Sequence, residues 1–362
     1  MELEKLTLSP LRVLYLFAGE RKKMEKEWRE GRMPDSQLIG FNHLAEFGVK
    51  ASYIENKFLN FVRKKNYNLP NLFLLPLLHR YDIIFSGASL FLPFVAKALF
   101  CLKRPKFVWY NTFFTNALKR NKDNRFRLWA LRKTIASLDA VVCPSTAQRQ
   151  FLIDQGFDPL KIFFVPNGID VDFMKRKKME QATSSPNSEL FILSVGKDMG
   201  RDYATLSEAV SGLPIQVKVA ALPRNFSTIK DVPENLQILG FVPFTDLVKL
   251  YQRSEFVVIP TKSEKHLDAS DCSGQYVLLD SMSLGKAVVV SKRETLDYME
   301  NGREGIVVAP ENPAELRVAI TRLLKSSEER VKMGEAAGKK AAMLFTTKRL
   351  AGELSTIFKR LV

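Results

Sequence analysis

Short apolar runs alternate with amphipathic or polar stretches along almost the whole chain. Leu11-Arg-Val-Leu-Tyr-Leu-Phe-Ala18 reads as a first strand, ended by Gly19. Further strand-like runs stand at Val49–Ile54, Asp82–Phe85, Phe107–Tyr110, Ala140–Cys143 and Ile162–Val165. Helical spacing closes at Phe47-Gly48 and recurs near 88–102, 124–138 and 145–155, whereas 20–36 is polar and charged. Strand–helix alternation of this kind predicts a parallel, doubly wound sheet. A strong turn follows at Val165-Pro-Asn-Gly-Ile-Asp170, then a polar stretch, Lys175–Ser188, which suits a linker. The alternation restarts after it. Strands are expected at Leu190–Val195, Ile215–Ala220, Leu236–Leu239, Phe256–Ile259, Ala287–Val290 and Ile306–Val308, and helices at 202–212, 244–253, 274–284, 313–325 and 327–343.

The expected architecture is therefore α/β, with two Rossmann-like halves facing across a cleft. Residues 1–175 form the first domain and 176–345 the second, and the closing helix 346–362 is expected to cross back to the first. At 362 residues the chain suits two domains rather than one. The apolar run Asp82–Leu102 carries Pro93 and Lys97 and a Ser86-Gly-Ala-Ser89 break, which fits a buried strand and a packed helix better than a membrane span.

Composition changes this picture little, and charge changes it more. With 46% hydrophobic and 26% charged residues the chain is that of a globular protein with a full core. Three scattered cysteines, Cys101, Cys143 and Cys272, suggest neither a disulfide framework nor a metal site, and fit a reducing compartment. No apolar leader opens the sequence, so a cytoplasmic location is expected. The net charge of +16 is uneven: residues 1–180 hold 31 Lys and Arg against 17 Asp and Glu, a net +14. That basicity calls for an anionic partner at the first domain. No nucleic-acid-binding motif accompanies it, so nucleic acid is not the expected partner.

The candidate chemistry centres on Ser270-Asp-Cys-Ser-Gly-Gln-Tyr-Val-Leu-Leu-Asp280. Ser273 suits an N-cap, Gly274 permits close backbone approach, and Gly285 suits the helix C-terminus. A helix N-terminus following a strand favours phosphate. Asp280 would lie about 9 Å along the axis, where a carboxylate can hold ribose hydroxyls. A second strand end, Gly196-Lys197-Asp-Met-Gly200-Arg201, brings two cations to the same expected cleft, Arg201 as a fork and Lys197 as a point charge. On the first-domain side, Asn111-Thr112 ends a strand and reads equally as a helix cap. His43, His79 and His266 have no spaced partner. Asp170-Val-Asp172 follows the hinge turn and reads as linker rather than metal site, and neither a Walker loop nor a GxGxxG is present.

These motifs together resemble the family 4 retaining glycosyltransferases of the GT-B fold. The resemblance runs from about residue 139 to the end. It rests on Asp139-Ala-Val-Val-Cys-Pro-Ser145-Thr, on Lys161-Ile-Phe-Phe-Val-Pro-Asn-Gly-Ile-Asp170 and on Ser194-Val-Gly-Lys197. It continues through Leu239-Gly-Phe-Val-Pro243, Leu279-Asp280-Ser-Met-Ser-Leu-Gly-Lys-Ala-Val288 and Asn301-Gly-Arg-Glu-Gly305. Before residue 139 the similarity is architectural. The resemblance implies a nucleoside diphosphate sugar bound to the second domain and an acceptor bound to the first. Lys197 and Arg201 correspond to the pair that holds the diphosphate, and Ser273, Gly274 and Gln275 to its backbone donors. The family's E-x7-E element maps its second acid, on the ribose, onto Asp280. Its first acid, on the sugar, falls on Cys272, a departure for which Asp271 or His266 is the expected substitute. A second departure is Ala18-Gly19 where the family carries Gly-Gly on the acceptor side.

The resemblance implies hexosyl transfer with retention, without metal or cofactor, to a lipid-linked or envelope glycan. The alternative is a catalytically altered protein of the same fold that docks through its basic first domain on a membrane or other polyanion. At 100° per residue, Leu128, Leu131, Ile135 and Leu138 share one face of the helix over 125–138. Phe126, Trp129, Arg125, Arg132 and Lys133 gather opposite, and Lys57–Lys65 and Lys103–Lys106 repeat the mixture. Aromatics among cations suit an anionic bilayer surface, so peripheral attachment to the inner membrane face is expected.

Overall fold

Among the residues described in this computed structural model of the chain (10–65, 69–87, 90–181, 190–267 and 270–362), two parallel six-stranded sheets carry the fold. The first contains β1 (Leu11–Leu16), β2 (Val49–Tyr53), β3 (Ile83–Ser86), β4 (Lys106–Tyr110), β5 (Ala140–Cys143) and β6 (Ile162–Phe164). The second contains β7 (Phe191–Val195), β8 (Gln216–Ala220), β9 (Leu236–Ile238), β10 (Val257–Ile259), β11 (Val288–Ser291) and β12 (Gly305–Val308). Their orders are β2-β1-β3-β4-β5-β6 and β12-β11-β10-β7-β8-β9. The architecture is the expected pair of doubly wound α/β halves.

Strands β3, β5, β7, β10 and β11 are buried throughout, as parallel strands covered on both faces must be. Alternation then sorts their side chains between two layers. Val13 and Tyr15 pack with Leu350, Leu354 and Phe358 of the helix Thr347–Leu361, while Leu14 and Leu16 join Leu59, Leu92 and Trp109 on the other face. The closing helix thus lies on the first sheet. In the second sheet Leu193 and Val257 pack with Leu278 and Met282, and Ile192 and Val258 with Leu206 and Ile320.

Differences from expectation concern helices without an apolar stripe. Val171–Gln181 is helical where a linker was expected, and residues 182–188 of that stretch lie outside the described residues. Only its first turn is apolar, and Phe173 and Met174 are buried with Phe191 and Leu193 of the second sheet. The chain therefore passes between the sheets before residue 175, at Pro166–Asp170. Lys22–Arg29, within the stretch read only as polar and charged, is a surface helix with no buried residue. The helical pattern ending at Phe47 is a 3₁₀ segment, Phe41–Phe47. Among the described residues no helix is long and apolar enough to cross a membrane.

Each sheet reverses its strand order once, at β1–β3 and at β7–β10. Open α/β sheets bind ligands outside the carboxyl ends of their strands at such points. The two cavities described next lie there.

Candidate functional site

Hydrogen bonds hold the loop after β7 in place and with it Arg201. Asp202 caps the helix Tyr203–Val210 through the N–H of Thr205 (3.1 Å), and the Tyr203 hydroxyl donates to the Gly196 carbonyl (2.7 Å). Asp198 accepts from the N–H of Gly200 (2.8 Å) and of Ser270 (3.3 Å), tying this loop to the one before the helix Gln275–Ser283. Between the two loops lies Arg201, only 5% exposed, whose Nε and Nη1 are buried and make no hydrogen bond among the described residues. Burial lowers its pKa. Its place exists because Gly196 and Gly274 lack side chains. A Cβ at Gly196 would collide with the guanidinium, and one at Gly274 would come within 3.1 Å of Nη1. Both glycines also hold positive φ, 147° and 91°.

Arg201 faces a cavity of about 460 Å³ that Gly196, exposed Lys197, Ser273, Gly274 and Asp280 also line. The structure thus brings Gly196, Lys197, Arg201, Ser273, Gly274 and Asp280 together, but not Gln275, Asp271 or His266. The helix start differs in detail. Gly274, not Ser273, is the N-cap, in the left-handed conformation, and the Ser273 hydroxyl is buried without a partner among the described residues. The N–H groups of Ser273 and Gln275 are used by the carbonyls of Ser270 and Cys272. The Gln275 side chain is structural: it accepts from Asn167 Nδ2 (2.7 Å) and donates to the Thr295 carbonyl (3.0 Å). Asp280, 8% exposed, has its pKa pushed up to about 8 by burial.

A second cavity of about 190 Å³ adjoins this one at Gln37, Cys272 and Tyr276, which line both. Its other wall is the first domain: Phe17, Ala18, Arg21, Gly87, Tyr110 and Thr112. Cys272 therefore does sit between the two halves. Burial raises its thiol pKa, so it is a neutral, weakly polar group there.

The proposed substitutes for it are elsewhere. Asp271 is buried and accepts from the N–H groups of Thr115 and Asn116 (3.0 Å each) and from Gln148 Nε2 (3.4 Å), clasping the start of the helix Phe114–Arg120 across the domain interface. His266 pairs with Glu311 (2.6 Å) at the surface and lines neither cavity. Asn111 is buried and accepts from the Phe114 N–H (2.8 Å), bracing the start of that helix although Phe113 holds its N-cap position; Gly19 lies outside both cavities, whereas Thr112 lines the second. Asp170 is neither linker nor free ligand. It accepts from Phe173 N–H (2.9 Å) and Asp35 N–H (3.1 Å), capping Val171–Gln181 and tying it to the first domain.

Sequence reasoning missed Gln37, Tyr110, Asn167 and Tyr276. The Tyr110 hydroxyl donates to Asn167 Oδ1, and Asn167 N–H donates to the Tyr298 hydroxyl (3.1 Å), which donates to the Pro144 carbonyl (2.7 Å). Tyr276 and Asn167 were visible as neighbours of Gln275 and as part of the Pro-Asn-Gly turn. Gln37 had no sequence signal.

The expected surface aromatics are indeed outside: Phe126 is 73% and Trp129 46% exposed, in ring contact with each other, and Lys133 lies over the Trp129 ring. Arg132 is committed to Gln155, through its carbonyl (2.6 Å) and side chain (3.1 Å).

Two family models match the chain. Residues 42–173 match Glycosyltransferase Family 4, and residues 214–326 match Glycosyl transferases group 1. The chain belongs to the family 4 glycosyltransferases of the GT-B fold. Solved structures agree on the fold. HepE from Anabaena, in complex with UDP, superposes with a TM-score of 0.69 at 14% identity, over 97% of this chain and 100% of that one. Sucrose-phosphate synthase from Thermosynechococcus elongatus gives 0.73 at 14% identity, over 97% and 99%. The α,α-trehalose 6-phosphate synthase from Burkholderia multivorans gives 0.66 at 12%, over 98% and 97%. No curated protein matches this glycosyltransferase in sequence.

Proposed function

We propose that the enzyme transfers a hexose from a UDP-sugar to a lipid-linked or envelope glycan, with retention of configuration and without a metal. The observation that carries this reading is the buried, unpartnered Arg201 guanidinium in a cavity shared with Asp280. A buried cation without an anion is costly, and a diphosphate would satisfy it. The UDP and UDP-glucose complexes of HepE support the choice of base and sugar class.

In this reading the ribose lies on Asp280 and the diphosphate between Lys197, Arg201 and the amide of Gly274. The sugar extends past Cys272 and Tyr276 into the second cavity. The acceptor hydroxyl enters from the Ala18–Thr112 side and attacks the anomeric carbon on the face the diphosphate leaves. The bond from that carbon to the diphosphate oxygen breaks as the new C–O bond forms, and the hydroxyl proton passes to the departing diphosphate. Lys197 and Arg201 stabilise the charge that builds there. Cationic side chains take the part a metal would play. Among the described residues no three of His, Cys, Asp and Glu gather as a metal-holding group.

Cys272 in the acid position keeps a second reading alive, a nucleotide-binding protein without transfer. One screen separates them: nucleotide sugars offered in EDTA, followed by thermal stabilisation and by release of UDP. Stabilisation with UDP release is expected. Stabilisation without release would favour the second reading, no stabilisation by any uridine nucleotide would sink both, and release only after adding Mg or Mn would overturn metal independence.

Attachment of the first domain to an anionic membrane is proposed from Phe126, Trp129 and Lys133 with the +14 charge of that half. Each cation near such a surface contributes about 1 kcal/mol, and the Debye length shrinks from about 10 Å at 0.1 M salt to about 3 Å at 1 M. The protein should co-sediment with vesicles containing anionic lipid at low salt and leave them at high salt, and Trp129→Ala with Lys133→Glu should weaken the attachment. A parent that stays in the supernatant at low salt removes the proposal.

A further inference from the structure

Beside the second cavity the first domain holds a larger one, about 910 Å³, between the segment Phe91–Leu99 and the helix Arg125–Ser137. That is near the top of the roughly 300–1,000 Å³ range of small-molecule sites. Its walls are Leu90, Phe91, Phe94, Phe113, Ala130 and Leu131, with Phe126 at its edge. It shares Ala18, Gly87 and Thr112 with the second cavity, where the acceptor hydroxyl is taken to enter, so the two are continuous. Phe94 opens a π-helical turn, Phe94–Leu99, a widening often found at functional sites.

The uncharged polar side chains in its wall already make hydrogen bonds within the protein. Thr134 Oγ1 donates to the Ala130 carbonyl (2.7 Å), Asn121 Nδ2 to the Ala117 carbonyl (2.8 Å) and Thr112 Oγ1 to the Gly87 carbonyl (3.5 Å). A sugar ring would find few partners there, and a hydrocarbon chain needs none. Arg127, the one charged wall residue among the described residues, suits a phosphate joined to such a chain.

We infer that this groove binds the hydrocarbon chain of a phospholipid-linked acceptor and leads its head into the transfer cleft; the inference rests on the transferase reading above. Phe126 and Trp129, exposed beside the groove, lie where the chain would leave a bilayer.

The test is calorimetric titration of the full chain with farnesyl phosphate, kept below its micelle concentration, and separately with UDP. Parent, Ala130→Trp (which fills the groove) and Phe126→Ala (an exposed position, harmless to the core) are compared. Saturable binding of farnesyl phosphate is expected in the parent, weakened at least tenfold, ~1.4 kcal/mol, by Ala130→Trp and severalfold by Phe126→Ala, with UDP affinity equal in all three. No saturable binding by the parent, or equal binding by both variants, overturns the inference. Should Ala130→Trp lose UDP binding as well, it has misfolded and Phe126→Ala decides. Farnesyl phosphate bound without UDP would count against the donor reading alone, and UDP bound without farnesyl phosphate against the groove alone.

Discussion

Arg201→Met should cut transfer by roughly 10²–10³-fold, the cost of removing one donor from a developing oxyanion, while the thermal midpoint of the ligand-free protein stays level or rises. Both halves follow from one fact: Nε and Nη1 are buried with no acceptor among the described residues. In the free enzyme the guanidinium is a desolvated charge that contributes no hydrogen bond there, and methionine of similar length replaces it with apolar volume. In the complex the same donors meet the diphosphate, whose negative charge grows as the sugar leaves. UDP affinity should fall by the roughly 1.5–3 kcal/mol of a charge-assisted hydrogen bond, and turnover by more, because the departing diphosphate is more negative than the bound donor. Steady-state release of UDP, calorimetry and a thermal melt measure the three quantities. Turnover within tenfold of the parent would remove Arg201 from the transfer step. A large fall in melting temperature would mean that the guanidinium holds the two loops together rather than waiting for a ligand.

The fold was legible because burial on both faces writes parallel strands as continuous apolar runs. Val257–Ile259, Val288–Ser291 and Phe191–Val195 admit little else. Helices were legible only where they carry a stripe. Pro313–Lys325 does, with Leu316, Ala319, Ile320 and Leu323 buried. Lys22–Arg29 buries nothing, and its Glu25–Arg29 pair is the kind of surface contact that no apolar pattern announces.

The donor side of the site was legible for a related reason. Its residues cluster on two loops, each read as the end of one strand, so sequence neighbours remain spatial neighbours. Across the cleft that no longer holds. Gln37 reaches both cavities from a stretch with no pattern, and Asp271, adjacent to Cys272, turns away to cap Phe114–Arg120 in the other domain. Which way one side chain turns in a loop depends on the amides that the opposite domain offers, and those are far away in sequence. Ser273 shows the same limit locally: composition favours serine as cap, but the left-handed Gly274 takes the position.

Asp280→Asn should stabilise the ligand-free enzyme and weaken its hold on UDP, and the two effects should separate with pH. Burial pushes the Asp280 carboxyl up to about 8 from a reference value of 3.8. Below pH 4 it is protonated folded or unfolded and costs nothing. As pH rises the unfolded chain ionises first, so the folded state loses stability steadily until pH 8, above which it too is ionised and the loss is complete. Asparagine removes that slope. The gain of the variant should therefore be nil near pH 4 and greatest above pH 8, on the order of a few kcal/mol at about 1.4 kcal/mol per tenfold change. Nucleotide reverses the preference. Ribose hydroxyls donate to an ionised carboxylate more strongly than to a neutral one, so UDP should expel a proton from Asp280 and bind more tightly as pH rises toward 8. Calorimetry of UDP binding at pH 7 in buffers of different ionisation enthalpy reads that proton directly: released by the parent, absent in Asp280→Asn. Affinity in the variant should drop by roughly 1.5–3 kcal/mol. Equal UDP affinity in both proteins would detach Asp280 from the ribose, and equal melting temperatures from pH 4 to pH 8 would mean that the carboxyl does not carry the burial cost assigned to it.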